Sequence, residues 1–323
     1  MIENSSKTIK LGEWDFNIIQ LEDIEIYNEF IRKTRCPANL WSSNFAYMWA
    51  LSQSRKKTLL WKIIHGLLVT FAISYKNTLY IFCVPYGDAE PEKLIDVLFY
   101  ALNYCDNWNG GDRKKSVVKM VNEEQLAFLS NSPRFNEYFT KRTWVGIERH
   151  FDIDKVCALK GREFENVRNR VNKFYRENPD AKIHLYREDD FDELIELGNQ
   201  WKITFGKKYE DIYDGVYYKE LIKNSKALNQ TTIVMKKNDR IIGMASGGIL
   251  PTKQAWGSVI KYDSNYTGLS ETMVVEFAKL IRSISPESKY LNVGSDLGPG
   301  GLRNYKLKFR PELNFKRYRI HLK

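Results

Sequence analysis

Cysteine and histidine are scarce in this 323-residue chain, four of each. Cys36, Cys83, Cys105 and Cys157 are scattered, show no CxxC spacing, and three of them sit inside apolar runs. That pattern argues against a disulfide scaffold and for reduced core cysteines in a cytoplasmic protein. His65, His150, His184 and His321 stand at no metal-ligand spacing from one another or from a cysteine, so no metal site is expected. A long apolar run is also missing. The longest, 59–74, is broken by Lys62, His65 and Gly66 and falls short of a bilayer span, and the first residues hold no apolar signal core. The expectation is a chain without a transmembrane segment, cytoplasmic and at most peripheral at a membrane. Acidic residues are in deficit, 40 against 50 Lys and Arg, which leaves a net charge of +10. The excess says nothing about fold but points to an anionic partner, whether nucleic acid, an acidic membrane surface or a phosphorylated cofactor. What is present is an ordinary globular balance, 43% hydrophobic and 28% charged, which excludes a disordered, collagenous or coiled-coil chain. The length suits two domains.

Hydrophobic periodicity divides the chain into two similar halves. In the first, Trp14, Phe16 and Ile18 alternate as a strand, and Ile24, Tyr27, Phe30 and Ile31 recur at helical spacing. A second helix holds Phe45, Met48 and Trp49. Strands are expected at 59–64, 67–74 and 78–84, the last two joined as a hairpin through Lys76 and Asn77. Pro91 opens an amphipathic helix, followed by a strand at 117–121, a helix at 123–129 and a strand near Trp144. The second half repeats the order: a strand at 183–186, helices at 191–201 and 216–223, strands at 231–235, 241–250 and 255–262, a helix carrying Met273 to Ile281, a strand at 290–293, a helix at 302–306 and a strand at 315–320. The fold class is therefore α+β, two domains at 1–150 and 151–323, each a mixed β-sheet flanked by helices. Between the halves, Phe164, Val167, Val171 and Phe174 form one helical stripe, with Arg162, Asn166 and Arg170 on another. The helix is either a connector with a solvated basic face or one that presents Arg and Asn to an anion.

That helix carries a resemblance. The segment FDIDKVCALKGREFENVRNRVNKFYRENPD, through Leu159, Gly161, Arg168, Asn169, Asn172 and Phe174, resembles the family of the soluble catalytic domain of phosphatidylglycerol lysyltransferase. LNVGSDLGPGGLRNYKLKFRP is similar to its second motif at Asn292, Asp296, Leu297, Gly298, Gly301, Leu302, Arg303, Lys306 and Pro311. CPANLWSSNFAYMWA is similar to the entry of its first domain at Asn44, Phe45 and Trp49. The resemblance implies two tandem domains of the GNAT (acyl-CoA N-acyltransferase) fold and transfer of an acyl or aminoacyl group to an amine or hydroxyl. It implies a co-substrate rather than a tightly bound cofactor, either aminoacyl-tRNA or acyl-CoA. The acceptor is an anionic phospholipid, a small molecule or a peptide. The chain departs from the family pattern at Gly294 and Ile260, where acidic residues are expected, which points away from direct carry-over of lysyl transfer.

Acyl transfer needs donors aimed at an oxyanion, a route for a proton and a grip on the donor. In this fold the pyrophosphate grip is a glycine-rich turn opening a helix. The corresponding stretch, 263–270, has one glycine and no arginine; it is a weak phosphate loop and reads rather as a plain strand-to-helix turn with Ser270 as N-cap, which points away from CoA toward aminoacyl-tRNA or a lost activity. Ala245-Ser246-Gly247-Gly248 offers either room for a ligand arm beside a strand or a β-bulge. Gly298-Pro299-Gly300-Gly301 leads into Arg303, Lys306 and Lys308, a candidate phosphate or tRNA grip or a solvated basic face. Asp296 is the first carboxylate candidate, as base or ammonium anchor, its alternative being an N-cap or an ion pair with Arg303. Tyr262 and Tyr305 are candidate general acids. The candidate substrate-binding set is thus Arg168, Asn169, Asn292, Arg303, Lys306, Lys308, Gly247 and Gly248. Three readings follow: an aminoacyl-tRNA-dependent transferase with its site in the C-terminal domain, an acetyl-CoA-dependent N-acetyltransferase, and a non-catalytic binder of anionic lipid or RNA.

Overall fold

A computed structural model describes residues 7–54, 56–205, 214–298 and 300–323, with the side chains of 214–216 left aside. The first six residues, Pro299 of the expected glycine-rich loop and the side chain of Val216 therefore lie outside the described residues. Two compact units are present, Met1–Gly146 with Phe315–Lys323, and Ile147–Asn314.

The first unit contains β1 (Thr8–Leu11), β2 (Trp14–Ile18), α1 (Ile24–Lys33), α2 (Phe45–Ser52), β3 (Lys57–Ile64), β4 (Leu67–Ser74), β5 (Leu79–Cys83), α3 (Pro91–Trp108), β6 (Val117–Asn122), α4 (Glu123–Ser130) and α5 (Phe135–Tyr138). β7 (Phe139–Asp152) crosses into the second unit. There follow α6 (Ile153–Ala158), α7 (Glu165–Glu177), β8 (Lys182–Leu185), α8 (Phe191–Phe205), α9 (Asp214–Lys223), β9 (Thr231–Lys237), β10 (Arg240–Ile249), β11 (Ala255–Tyr262), α10 (Leu269–Ile284), β12 (Tyr290–Ser295) and α11 (Gly301–Leu307). The closing strand is β13 (Leu313–Leu322).

In the first unit neighbouring strands run in the order β1-β2-β3-β4-β5-β6-β13. All pairs are antiparallel except β5 and β6, which run parallel because α3 is the crossover between them. Leu94, Leu98, Ala101, Leu102 and Cys105 of α3 pack on Leu60, Phe71, Ile81 and Val118 of the sheet. The hairpin from β4 to β5 turns at Asn77, which takes a left-handed φ of 56° that asparagine tolerates. The second unit repeats this plan as β7-β12-β11-β10-β9-β8, with β11 and β12 the parallel pair and α10 the crossover. Its core joins Met273, Phe277 and Ile281 of α10 to Phe164, Val167, Val171 and Phe174, the stripe read on the connecting helix.

The two halves thus share one α+β plan, and the parallel pair falls at the same step in each. Several details were not anticipated, the short helices α5 and α6 among them. β1 is a four-residue strand too short and too polar for its alternation to register. The closing strands are exchanged: β6 pairs with β13 from the far end of the chain, and β12 pairs with residues 148–152 of β7. The last residues therefore belong to the first unit rather than continuing 151–323. Ile320, fully buried, anchors β13 in the first core. Ile320→Ala is expected to cost about 2–5 kcal/mol. Hydrogen exchange should rise in 117–122 and stay unchanged in 290–295; loosening confined to the second unit would contradict the exchange.

Candidate active site

The site is built where β11 and β12 part. They pair in parallel only at Ala255 with Leu291 and Trp256 with Asn292, after which β11 runs on to Tyr262 and β12 to Ser295. Strands that separate leave backbone donors and acceptors along both facing edges, which need other partners. On β12 the partner is Lys306 from α11. Its ammonium donates to the carbonyl of Val293, to that of Gly294 at 3.0 Å and to that of Ser295 at 2.8 Å.

The same stretch of β12 is bulged. Its register with β7 shifts between Asn292 and Ser295, and Gly294 sits at φ 73°. A bulge at this point favours glycine, so the departure from an acidic residue there has a backbone cause. Asn292 spans the bulge, accepting from the Gly294 N–H at 2.8 Å and donating to Glu148 on β7. Glu148 is almost fully buried. Its neighbour Arg149 donates through Nη2 and Nε to the same Asp296 oxygen at 2.6 and 3.0 Å. The other Asp296 oxygen accepts from the N–H groups of Ile147 at 2.9 Å and Gly298 at 3.1 Å. Burial pushes the Asp296 carboxyl up, but the hydrogen bonds from Ile147, Arg149 and Gly298 outweigh it and hold its pKa below the ordinary value. At 2% exposure, with four donors spent on it, Asp296 anchors the turn after β12. Its partner is Arg149, not the expected Arg303, and a carboxylate so committed is a weak proton acceptor. His150, on the same strand, is buried and held down to about 3, which keeps it neutral.

A second cluster lies at the start of α10. Burial pushes Glu271 up, yet hydrogen bonds from the Ser270 hydroxyl and Lys308 prevail and lower its pKa. Lys308 lies 3.0 Å from the Glu271 carboxylate and Arg170 3.6 Å. The N-cap is Gly268, not the expected Ser270. A Cβ on Gly268 would sit 2.2 Å from the Arg170 carbonyl, so the helix start is pressed against α7. Tyr305 donates its hydroxyl to the Ser270 carbonyl at 2.9 Å, and burial raises its pKa well above the ordinary value. α11 thus serves both clusters, Lys306 at the β12 bulge and Tyr305 with Lys308 at α10.

The remaining expected residues lie elsewhere. Arg168 donates to the carbonyls of Leu159 and Gly161, clamping the left-handed end of α6, where Leu159 has φ 46°. The Leu-x-Gly and Arg motif is therefore a helix-terminus clasp. Asn169 and Arg303 are exposed. The close approach at Gly247 is internal: a Cβ there would meet the Trp256 carbonyl at 2.1 Å and Phe277 at 2.7 Å, beside a bulge between Ser246 and Gly247. A Cβ on Gly248 would meet the Trp256 indole nitrogen at 3.0 Å, so protein rather than a ligand arm occupies that space. Tyr262 is half-buried at the end of β11, near Phe205. Sequence reasoning missed Glu148, Arg149 and Glu271; a Glu-Arg-His run close to the strand expected near Trp144 was the available signal for the first two. Among the described residues no group of His, Cys, Asp and Glu could hold a metal ion, and no helix is long and apolar enough to cross a membrane.

Asp296→Asn is expected to lose about 3–5 kcal/mol at neutral pH, because it leaves the Arg149 charge buried and unpaired. The folded pKa of Asp296 is depressed, so its contribution is present above the unfolded carboxylate value and is lost as pH falls through the lower folded one. Urea titrations should show a shallower acid limb in the variant; an acid limb as steep as that of the unaltered protein would contradict this.

Comparison with known proteins follows the geometry. No curated protein matches the chain in sequence. A conserved protein of unknown function from Bacteroides thetaiotaomicron superposes with a TM-score of 0.81 at 21% identity, over 95% of this chain and 99% of that one. L-PGS from Bacillus licheniformis superposes with a TM-score of 0.66 at 16% identity, over 97% and 94%. A tandem GNAT protein from the clavulanic acid biosynthesis pathway gives 0.50 at 8% identity, over 95% and 98%. At these identities the likeness establishes the fold. Residues 41–321 match the family described as phosphatidylglycerol lysyltransferase, C-terminal. The chain belongs to that family, and with it to the acyltransferases of GNAT-like fold.

Proposed function

We propose that the chain moves an aminoacyl group from aminoacyl-tRNA to a hydroxyl or amine acceptor, at the opening between β11 and β12. The observation that carries this reading is the family match over residues 41–321. The choice of donor is supported by Glu271. In a CoA-dependent enzyme of this fold the start of the crossover helix receives a pyrophosphate. Here a buried carboxylate with its own partners, Lys308 and Arg170, occupies the first turn of α10. A second anion beside it would meet like charge, and the helix terminus has already been neutralised.

In the proposed reaction the acceptor attacks the ester carbonyl of the donor. The carbonyl oxygen becomes an oxyanion, and the tRNA hydroxyl leaves with a proton. Backbone N–H groups along the parted strand edges are the class of donor suited to that oxyanion. Tyr262, half-buried at the end of β11, is the tyrosine proposed to pass the proton. Arg303 and Asn169, both exposed, face outward for phosphates of the donor. Asp296, Asn292 and Lys306 hold the β12 edge in shape. The first unit acts as scaffold and clamp, and an anionic phospholipid is the acceptor class, met by a cytoplasmic protein at a membrane surface.

The test is transfer from a mixture of charged tRNAs, and separately from acetyl-CoA, read by mass spectrometry of the acceptors. The expected outcome is an aminoacylated product and no acetylated one, with no rise in melting temperature at millimolar acetyl-CoA. Arg303→Ala is expected to raise KM for charged tRNA roughly tenfold without changing the melting temperature. An acetylated product together with a raised melting temperature would replace the donor by acetyl-CoA. Binding of RNA or anionic liposomes without turnover from either donor would reduce the chain to a binder.

A further inference from the structure

The transfer reading leaves unused a group of cations on the first unit. The strand register puts Lys57 opposite Ser74, Leu59 opposite Ala72 and Ala72 opposite Tyr80, so Lys57 and Tyr80 share a face of the sheet. Lys119 of β6 reaches that face, its ammonium 4.7 Å from the centre of the Tyr80 ring. Arg319 comes from β13, where the register with β6 shifts between Tyr318 and Ile320, and its guanidinium lies 3.2 Å over the ring of Trp144. Arg317 stands two residues away, bonded to the Val145 carbonyl.

Three features set this group apart from a solvated basic face. Lys57, Lys119 and Arg319 are each half-buried, whereas solvated cations protrude. Among the described residues no carboxylate forms an ion pair with any of the three. The Nε of Arg319 is buried and meets no acceptor. The cost falls on their charged forms. Burial, then the charges of Lys57 and Arg319, push Lys119 down to about 8, and burial with Arg317 lowers Arg319. Like charges gathered half-buried on one face repel each other and lose hydration, and an anion placed among them would relieve both penalties. The half-buried cations and the tryptophan at 38% exposure beside them suit a compact anion entering end-on. They do not suit the rail of phosphates along a duplex, which protruding side chains contact.

We propose that this face of the first unit binds the phosphate group of a small phosphate ester, gripped by Lys57, Lys119 and Arg319 with Trp144 at the rim. The shared chemistry is a phosphate carrying net negative charge, whether on a soluble ester or on a lipid headgroup.

The full chain is titrated with inorganic phosphate and with glycerol phosphate by calorimetry and 31P NMR. It is also cosedimented with phosphatidylcholine vesicles with and without phosphatidic acid. Saturable phosphate binding and a raised melting temperature are expected. Lys119→Gln and Arg319→Gln should each weaken binding about tenfold or more. Without ligand, both variants should melt at or above the temperature of the unaltered protein, because a repulsion has been removed. Lys141→Gln, exposed on β7, should bind phosphate unchanged. Cosedimentation that needs phosphatidic acid and Lys119 assigns the phosphate to a lipid; binding of the soluble esters alone assigns it to a soluble ester. Absence of saturable binding, or unchanged affinity in both glutamine variants, overturns the proposal. So does RNA-duplex binding that needs Lys119 and Arg319 but is not displaced by phosphate.

Discussion

Backbone polar groups cannot stay unpaired inside a protein, and the second unit meets that constraint where β11 leaves β12. Most of the site's residue choices follow from it. At the β12 bulge three successive carbonyls come within reach of one ammonium, and its three donors gather them. A guanidinium's planar fork could not serve three oxygens on one strand in that way, which explains why Lys306 is a lysine. The bulge at Gly294 keeps the same stretch short enough to be spanned by Asn292. Arg149 and Asp296 then fix the turn that carries the chain toward α11 and so places Lys306. The geometry of this edge is a by-product of satisfied backbone.

The electrostatics of the second unit are more inward-looking than a net charge of +10 suggests. Arg149, Arg168, Lys306 and Lys308 all spend their charge on the protein's own carboxylates or carbonyls. Glu271 is the reverse case, an anion kept at the end of α10 where the helix dipole favours one. The first turn of α10 is thus neutralised from within, by Glu271 with Lys308 and Arg170.

The element order was readable because each element has a strong period, as in the stripe Phe164, Val167, Val171 and Phe174. Partner choice was not, since β7 and β13 each carry a pattern that fits either sheet; nothing local tells a strand which edge it will meet. The site was partly legible. Asn292, Asp296 and Lys306 do converge at the β12 bulge, but their partners Glu148 and Arg149 look like solvated charges when burial is unknown. Glu271 looks like an ordinary acidic residue in a first helical turn. Gly247 and Gly248 read from sequence either as room for a ligand arm or as a bulge; a bulge falls between Ser246 and Gly247, and Trp256 and Phe277 crowd the space beside them.

The exchange of closing strands bears on the order in which the molecule can be made. During synthesis the second unit, 147–314, has all its strands before the first unit does. The first unit's sheet ends at β6 until residues 313–322 have left the ribosome. For that interval β6 is an open edge with unpaired N–H and C=O groups, the kind that recruits strands from other chains. Its charged Lys119, and the neighbouring Arg113, Lys114 and Lys115, make it a poor template for such pairing. A basic edge of this kind disfavours strand recruitment from other chains in the interval before the native strand arrives.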